Sequence, residues 1–293
     1  MNKPVMSSFQ TASMTGLLIK DDRSEFENLP AVNWFSRDLP NDLDIRKAAT
    51  RDAAPLPQTK DREFYHGDAH AAWWLSGFQD MRSIEAAAVK HGTFAFEDCR
   101  YFELGCASGR VVRHMAHQTN AEVWCSDINL RHTEWVRKYL PSNIRTFNNA
   151  AFPYLPLESN YFDIVSAFSV FTHIDDLELM WMAELARVLA PGGIAYLTVQ
   201  TENTWEQYRN QWIRDNLEPM AGAIPDFAIN AELFEGPLPQ EKTVFWWQTR
   251  EIYNSTVFHT IKYIEREWGR FLKVKEIIPN GSTYQDVVIL RKE

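Results

Sequence analysis

The sequence predicts an α/β fold built on a mostly parallel sheet with helices on both faces. Three observations carry that prediction. Between residues 100 and 200, β-rich runs alternate with amphipathic runs at the spacing of βαβ units. The stretch Phe102-Glu103-Leu104-Gly105-Cys106-Ala107-Ser108-Gly109-Arg110 reads as a strand that ends in an acid, turns on small residues and opens a helix. Finally, Pro191-Gly192-Gly193 and Pro279-Asn280-Gly281-Ser282 supply the turns needed to reverse a helix into a strand and to close a hairpin.

Composition narrows the class. With 293 residues the chain can hold one large domain with elaborations or two small ones, and 13% aromatic content including 11 Trp suffices to bury a core. The net charge of −9 and the absence of any Lys/Arg cluster longer than two argue against a nucleic-acid footprint. Cys99, Cys106 and Cys125 lack metal-ligand spacing and read as buried thiols in a reducing compartment. No metal site is expected. No apolar run approaches a membrane span, and the Ser/Thr-rich stretch after Lys3 lacks an apolar core, so a cytoplasmic protein is expected.

Taken in order, residues 1–60 are polar and broken by Pro30, Pro40, Pro55 and Pro57, a loop-rich arm with at most short helices. Two helices follow, over Ala69–Trp74 and Ser83–His91, the second capped by Ser83 and stopped by Gly92. The first strand is Arg100–Leu104 and the first crossover helix Arg110–Gln118. The second strand, Ala121–Asp127, ends in an acid 24 residues after Glu103, near the distance at which nucleotide-binding sheets place a carboxylate for ribose hydroxyls. The alternative for Asp127 is a helix N-cap for Leu130 onwards, and both roles can hold at once. Ile144–Phe147 is a third strand followed by Asn148-Asn149. Tyr161–Val170 is a fourth, Leu177–Leu189 an amphipathic helix, and Ile194–Val199 a fifth strand. Asp175 and Asp176 suit the start of that helix.

Beyond strand five, Glu202–Leu217 is helical with Trp205, Tyr208 and Trp212 on one face. Pro219, Pro225, Pro237 and Pro239 mark a loop-rich insertion. Thr260 can cap a helix through Trp268, Phe271–Ile278 is a sixth strand, and Tyr284–Leu290 returns as a seventh.

The spacing of the glycine loop selects among nucleotide folds. A dinucleotide fingerprint would need glycine where Ala107 and Arg110 stand, and no P-loop is present. The E-x-G-x-x-x-G spacing instead resembles motif I of the class I S-adenosylmethionine methyltransferases. Ala107 departs from that pattern at its middle glycine, which one methyl group tolerates if φ stays negative. Asp127, the Phe162-Asp163-Ile164-Val165 strand entry and the Arg187-Val188-Leu189-Ala190-Pro191-Gly192-Gly193 turn follow in family order.

The resemblance implies a Rossmann-like seven-stranded sheet, order 3-2-1-4-5-7-6 with the last strand antiparallel, an N-terminal helical extension and an insertion after strand five. It divides the chain into an arm (1–60) and a methyltransferase domain (61–293). Within that domain, covering helices span 61–95, the cofactor core 96–200, a substrate-side insertion or lid 201–250, and a closing helix and hairpin 251–293. It implies S-adenosyl-L-methionine as cofactor, with S-adenosyl-L-homocysteine as product. Contacts are implied from Tyr65, Glu103, Gly105, Ala107, Gly109, Asp127, Ile128, Ser169, and Asn148 or Asn149 at adenine.

Methyl transfer from a sulfonium is an in-line displacement that needs alignment and water exclusion, and a base only where the acceptor must lose a proton. His173, just past strand four, is the candidate base; the alternative is a helix-start histidine bonded to backbone. The expected reaction is O-methylation of a small polar acceptor, a sugar or glycan or a secondary metabolite. A homodimer is left open. The alternatives are aminopropyl transfer on the same fold, or a cofactor-binding partner subunit without turnover.

Overall fold

The computed structural model describes residues 42–62, 66–209, 234–246 and 255–293. Its strands are β1 (Arg100–Leu104), β2 (Glu122–Asp127), β3 (Arg145–Asn148), β4 (Phe162–Ala167), β5 (Leu189–Val199), β6 (Lys242–Trp246), β7 (Ser255–His259), β8 (Lys273–Ser282) and β9 (Gln285–Arg291). The α-helices are α1 (Asp42–Arg51), α2 (His70–His91), α3 (Val112–Gln118), α4 (Leu130–Tyr139), α5 (Glu178–Val188), α6 (Glu202–Gln207) and α7 (Ile261–Glu267).

Seven strands form one sheet in the order β3-β2-β1-β4-β5-β9-β8. β1–β2, β2–β3 and β4–β5 pair in parallel, and β9 runs antiparallel to both β5 and β8. This is the expected order. The closing pair is β8–β9 rather than strands six and seven because an additional antiparallel pair, β6–β7, precedes it in the chain and forms a separate two-stranded sheet. The interior strands are apolar on both faces, as a sheet covered on both sides requires: Tyr101, Phe102 and Leu104 on β1, and Val287 to Leu290 on β9, are all buried.

Two compact units are distinguished. The described part of the first comprises residues 42–62, 66–90 and 95–148. Here α2 is one continuous helix of 22 residues, not two short ones. Ser83 does not cap; its Oγ donates back to the Gln79 carbonyl at 3.0 Å. The cause is burial: Trp73, Trp74, Phe78, Met81 and Ile84 lie inside, and that packing carries the helix through a weakly patterned centre. Gly77 is needed there, because a Cβ would overlap the Arg110 backbone carbonyl. Residues 42–62 are held by a buried ion pair. Asp52 accepts from Arg113 Nε (2.6 Å) and Nη2 (3.0 Å) and from Trp74 Nε1 (2.7 Å).

The described part of the second unit comprises residues 91–94, 149–209, 234–246 and 255–293. The expected Pro191-Gly192-Gly193 turn is absorbed into β5, which begins at Leu189. A bulge between Phe162 and Ile164 takes up the irregularity, and Gly192 adopts φ +80° while its N–H donates to the Lys292 carbonyl at 2.8 Å. Trp205, Tyr208, Phe234, Phe245 and Phe258 form a separate aromatic core beneath the β6–β7 hairpin. The C-terminal part of the Glu202–Leu217 helix, including Trp212, lies outside the described residues.

Candidate cofactor and catalytic site

The loop between β1 and α3 is built by left-handed residues. Gly105 has φ +74° and Gly109 φ +81°. The N–H groups of Gly105 and Cys106 both donate to the Ser126 carbonyl, at 2.8 and 3.0 Å, which folds the chain back over the end of β2. Ala107 has φ +46°, against the expectation that its φ stays negative. That conformation aims its N–H at Asp127 Oδ2, 2.8 Å away. The loop therefore keeps the shape of the usual middle glycine, and a hydrogen bond offsets the steric cost of the methyl group.

Asp127, at the end of β2, is almost fully buried and doubly held, since its Oδ1 accepts from the Asn129 N–H at 2.8 Å. It does not cap α4. That role belongs to Asn129, whose side chain accepts from the Arg131 N–H. With one backbone donor on each oxygen, the carboxylate keeps lone pairs for further donors and cannot rotate away from them.

Glu103 is 2% exposed at the end of β1, with the Tyr101 hydroxyl 3.4 Å from its Oε2. Burial pushes its pKa up to about 8, although the Arg110 charge and the Tyr101 hydrogen bond oppose this. Arg110 itself is engaged by Asp80 Oδ2 at 2.6 Å. The Cys106 thiol is raised by its hydrogen bond with Cys125 and by burial, which keeps it unreactive.

Asn148 and Asn149, left open by the sequence, are separated by their partners. Asn148 Oδ1 accepts from Thr133 Oγ1 at 2.8 Å and its Nδ2 donates to the Asp127 carbonyl at 3.1 Å, so its side chain braces β2 against α4. Asn149 Nδ2 donates to the neighbouring Ala150 carbonyl, while its buried Oδ1 has no hydrogen-bond partner among the described residues. A buried amide oxygen without a donor is where a ligand amine fits. Ile128, an apolar side chain beside Asp127, stays 37% exposed. Tyr65 lies outside the described residues.

In the second unit, Ser169 takes φ +55°; its N–H donates to Thr198 Oγ1 (2.7 Å) and its Oγ to Gln285 Oε1 (3.1 Å). His173 Nδ1 is 2.6 Å from the Ser255 carbonyl on β7. A carbonyl can only accept, so the ring carries its proton on Nδ1 and presents Nε2 as the basic nitrogen. Burial lowers its pKa below the usual imidazole value, with the Ser255 hydrogen bond opposing. Asp175 does not cap α5 through its side chain; its Oδ1 pairs with Lys242 Nζ at 3.1 Å. Among the described residues, no three His, Cys, Asp or Glu side chains gather as metal ligands, and no helix is long and apolar enough to cross a membrane. A surface concavity of about 860 Å³ at the edge strand β8, lined by Arg270, Phe271, Lys273 and Lys292 among others, contains none of these residues.

Sequence reasoning missed the Asp52–Arg113 pair and the bond from Ser108 Oγ to the Asp61 carbonyl. Partners 61 and 47 positions apart leave no local signal. It also missed β6–β7, for which a signal existed: Thr-Val-Phe occurs at 243–245 and again at 256–258, and the two copies pair.

Residues 102–197 match a family model described as a methyltransferase domain. No curated protein sequence matches the chain. Among solved structures, it is similar to the methyltransferase found in complex with the Trm112 activator of Haloferax volcanii (16% identity, 75% of this chain and 96% of that one, TM-score 0.46). It is also similar to a SAM-dependent methyltransferase of Methanosarcina mazei (18%, 67% and 93%, TM-score 0.46). A third is 1,6-didemethyltoxoflavin-N1-methyltransferase of Burkholderia thailandensis, solved with 1,6-didemethyltoxoflavin and S-adenosylhomocysteine (12%, 88% and 92%, TM-score 0.48). The family match reads sequence and the strand order reads topology, and the two agree. Residues 102–197 are thus a methyltransferase domain, for which S-adenosylmethionine is the methyl donor.

Proposed function

We propose that the chain methylates an oxygen of a small polar acceptor, a sugar or glycan or a secondary metabolite, with His173 as general base. S-adenosylmethionine supplies a methyl group already activated on a sulfonium. The chain's own residues hold the cofactor, orient the acceptor and take its proton. Asp127 receives the ribose hydroxyls, Asn149 Oδ1 the adenine amine, and Ile128 lies against the ring. Gly105, Ala107 and Gly109 offer bare backbone, and Glu103 faces the positively charged methionine end. The acceptor side is assigned to residues 201–250, of which 201–209 and 234–246 are among the described residues.

The observation that carries the base assignment is the 2.6 Å hydrogen bond from His173 Nδ1 to the Ser255 carbonyl. It supports one fixed tautomer, and desolvation keeps the ring neutral at working pH.

Calorimetric titration with S-adenosylhomocysteine tests the cofactor half, with Asp127→Ala expected to weaken binding by about a hundredfold or more. An acceptor screen with labelled S-adenosylmethionine tests the rest. With an alcohol acceptor, the rate should rise through a midpoint below about 6.5 and then level off, because a base with a lowered pKa is already unprotonated at neutral pH. His173→Gln should lose about a hundredfold or more in kcat. A rate independent of pH, or full activity in His173→Gln, would sink the base assignment.

A further inference from the structure

Glu178, the first residue of α5, is 1% exposed and gathers side chains from three other parts of the second unit. Lys242 Nζ on β6 lies 2.8 Å from its Oε2, and His259 Nε2 on β7 lies 3.2 Å from its Oε1. Trp268 Nε1 donates to Oε1, and the Tyr263 hydroxyl donates to Oε2 at 3.4 Å. Burial alone would raise this carboxyl, but His259 and Lys242 overcome it and hold the pKa at about 2.

Lys242 and His259 stand directly opposite one another in the β6–β7 register. One carboxylate therefore grips both strands of the hairpin at the same rung. From that rung β7 runs back along the segments that follow β4 and β5. The His259 N–H donates to the Gln200 carbonyl at 2.8 Å, and the Val257 N–H to the Thr172 carbonyl at 2.9 Å. At its far end, Ser255 and His173 bond reciprocally: the His173 ring donates to the Ser255 carbonyl, and Ser255 Oγ donates to the His173 carbonyl at 2.9 Å. The hairpin is thus fixed at one end by Glu178 and sets the histidine tautomer at the other.

We propose that Glu178 is a positioning residue for His173, acting through Lys242, His259 and the β6–β7 hairpin to hold the Ser255 carbonyl against Nδ1. The proposal rests on the reading of His173 as base, and it explains why a buried carboxylate far from motif I collects so many donors. Freed from the clasp, β7 keeps its strand pairing but loses the side-chain anchor that fixes its height against Thr172 and His173.

The test reads the imidazole directly and needs no acceptor. In full-length chain labelled with ¹⁵N-histidine, the His173 resonances are assigned by their loss in His173→Gln. The wild type should show an Nδ1-protonated tautomer and a titration midpoint below that of an ordinary histidine. Lys242→Met, at a partly exposed site, and Glu178→Gln should both give mixed tautomers and a midpoint shifted towards the ordinary value. Their S-adenosylhomocysteine affinity should stay within about twofold of wild type. Glu241→Gln, which removes the exposed partner of Arg266, should change nothing. If Lys242→Met folds and keeps the wild-type tautomer and midpoint, the proposal is overturned, whether or not Glu178→Gln folds.

The base reading fails separately. An acceptor found with labelled cofactor and still methylated by His173→Gln would remove the base and leave the clasp result standing. If both hold, Lys242→Met should lower kcat about ten- to a hundredfold with the cofactor KM unchanged.

Discussion

At the scale of single residues, the sharpest contrast is between Ala107 and Gly109, two left-handed positions in one loop. A left-handed alanine costs about 1–2 kcal/mol, part of which the bond to Asp127 offsets. Ala107→Gly relieves the steric cost but lets the unfolded chain gain entropy, so unfolding free energy should change by less than about 1 kcal/mol, in the stabilising direction. Gly109→Ala has no such latitude. Its φ is +81°, and a Cβ would overlap Leu140 Cδ1 with Val112 and Val136 close behind. A loss of about 2–4 kcal/mol is expected from strain and overpacking together. Denaturant titration of both variants measures this, and a Gly109→Ala chain as stable as wild type would show that the loop relaxes where the structure holds it tight. Motif spacing located both residues. It did not give the sign of φ at Ala107, because that sign is set by Asp127, 20 positions on, drawing the N–H towards it.

At the scale of elements, α2 and the segment before it owe their form to burial and to one ion pair. Arg113 and Asp52 have fully buried side chains. Removing one partner strands the other charge, so Asp52→Ala should cost about 3–5 kcal/mol, whereas a surface pair such as Arg137–Glu134 should cost under about 1 kcal/mol. Asp52 is held well below the usual carboxylate range; burial raises it, but Arg113 and His117 outweigh that. Because its folded pKa is depressed, the stabilisation is present above the unfolded pKa near 3.8 and is lost only as pH falls towards the folded value. The pair should therefore survive mild acid. Thermal melts of Asp52→Ala and wild type at pH 7 and pH 5 should differ by the same interval; a gap that closes by pH 5 would contradict the assignment. The sequence placed two helices where one stands, because its apolar positions between Trp74 and Ser83 are too few to mark a helix until tertiary packing buries them.

At the scale of the whole molecule, the shifted groups combine into one pH profile. His114 is pushed down to about 3 and His66 to about 4, both mainly by burial. Between those values and 6.5 the unfolded chain binds protons that the folded chain refuses, so stability rises with pH. Glu103 works the other way. Its pKa of about 8 lies above the ordinary carboxyl value of 4.5, so the folded chain holds a proton the unfolded chain has lost, and stability falls across that window. The sums favour a maximum near pH 6.5, with a decline towards pH 8. Glu103→Gln should flatten the alkaline side and steepen the rise between pH 4.5 and 6.5, where Glu103 opposes the two histidines. Melting temperatures between pH 5 and pH 9 check this, and a midpoint that climbs steadily to pH 9 would refute the role given to Glu103.

The sequence alone determined the strand–helix rhythm, the glycine loop, the acid at the end of β2, the Thr260 cap and the closing hairpin. Each of these is written in neighbouring residues, through hydrophobic period, capping chemistry or turn preference. Only the tertiary structure decided that Asn148 braces the sheet while Asn149 keeps an open acceptor, that Asp52 meets Arg113, and that Glu178 clasps a hairpin carrying the partner of His173. Those outcomes depend on which distant groups burial strips of water together. A buried charge or amide must then find its partner in space, wherever along the chain that partner lies.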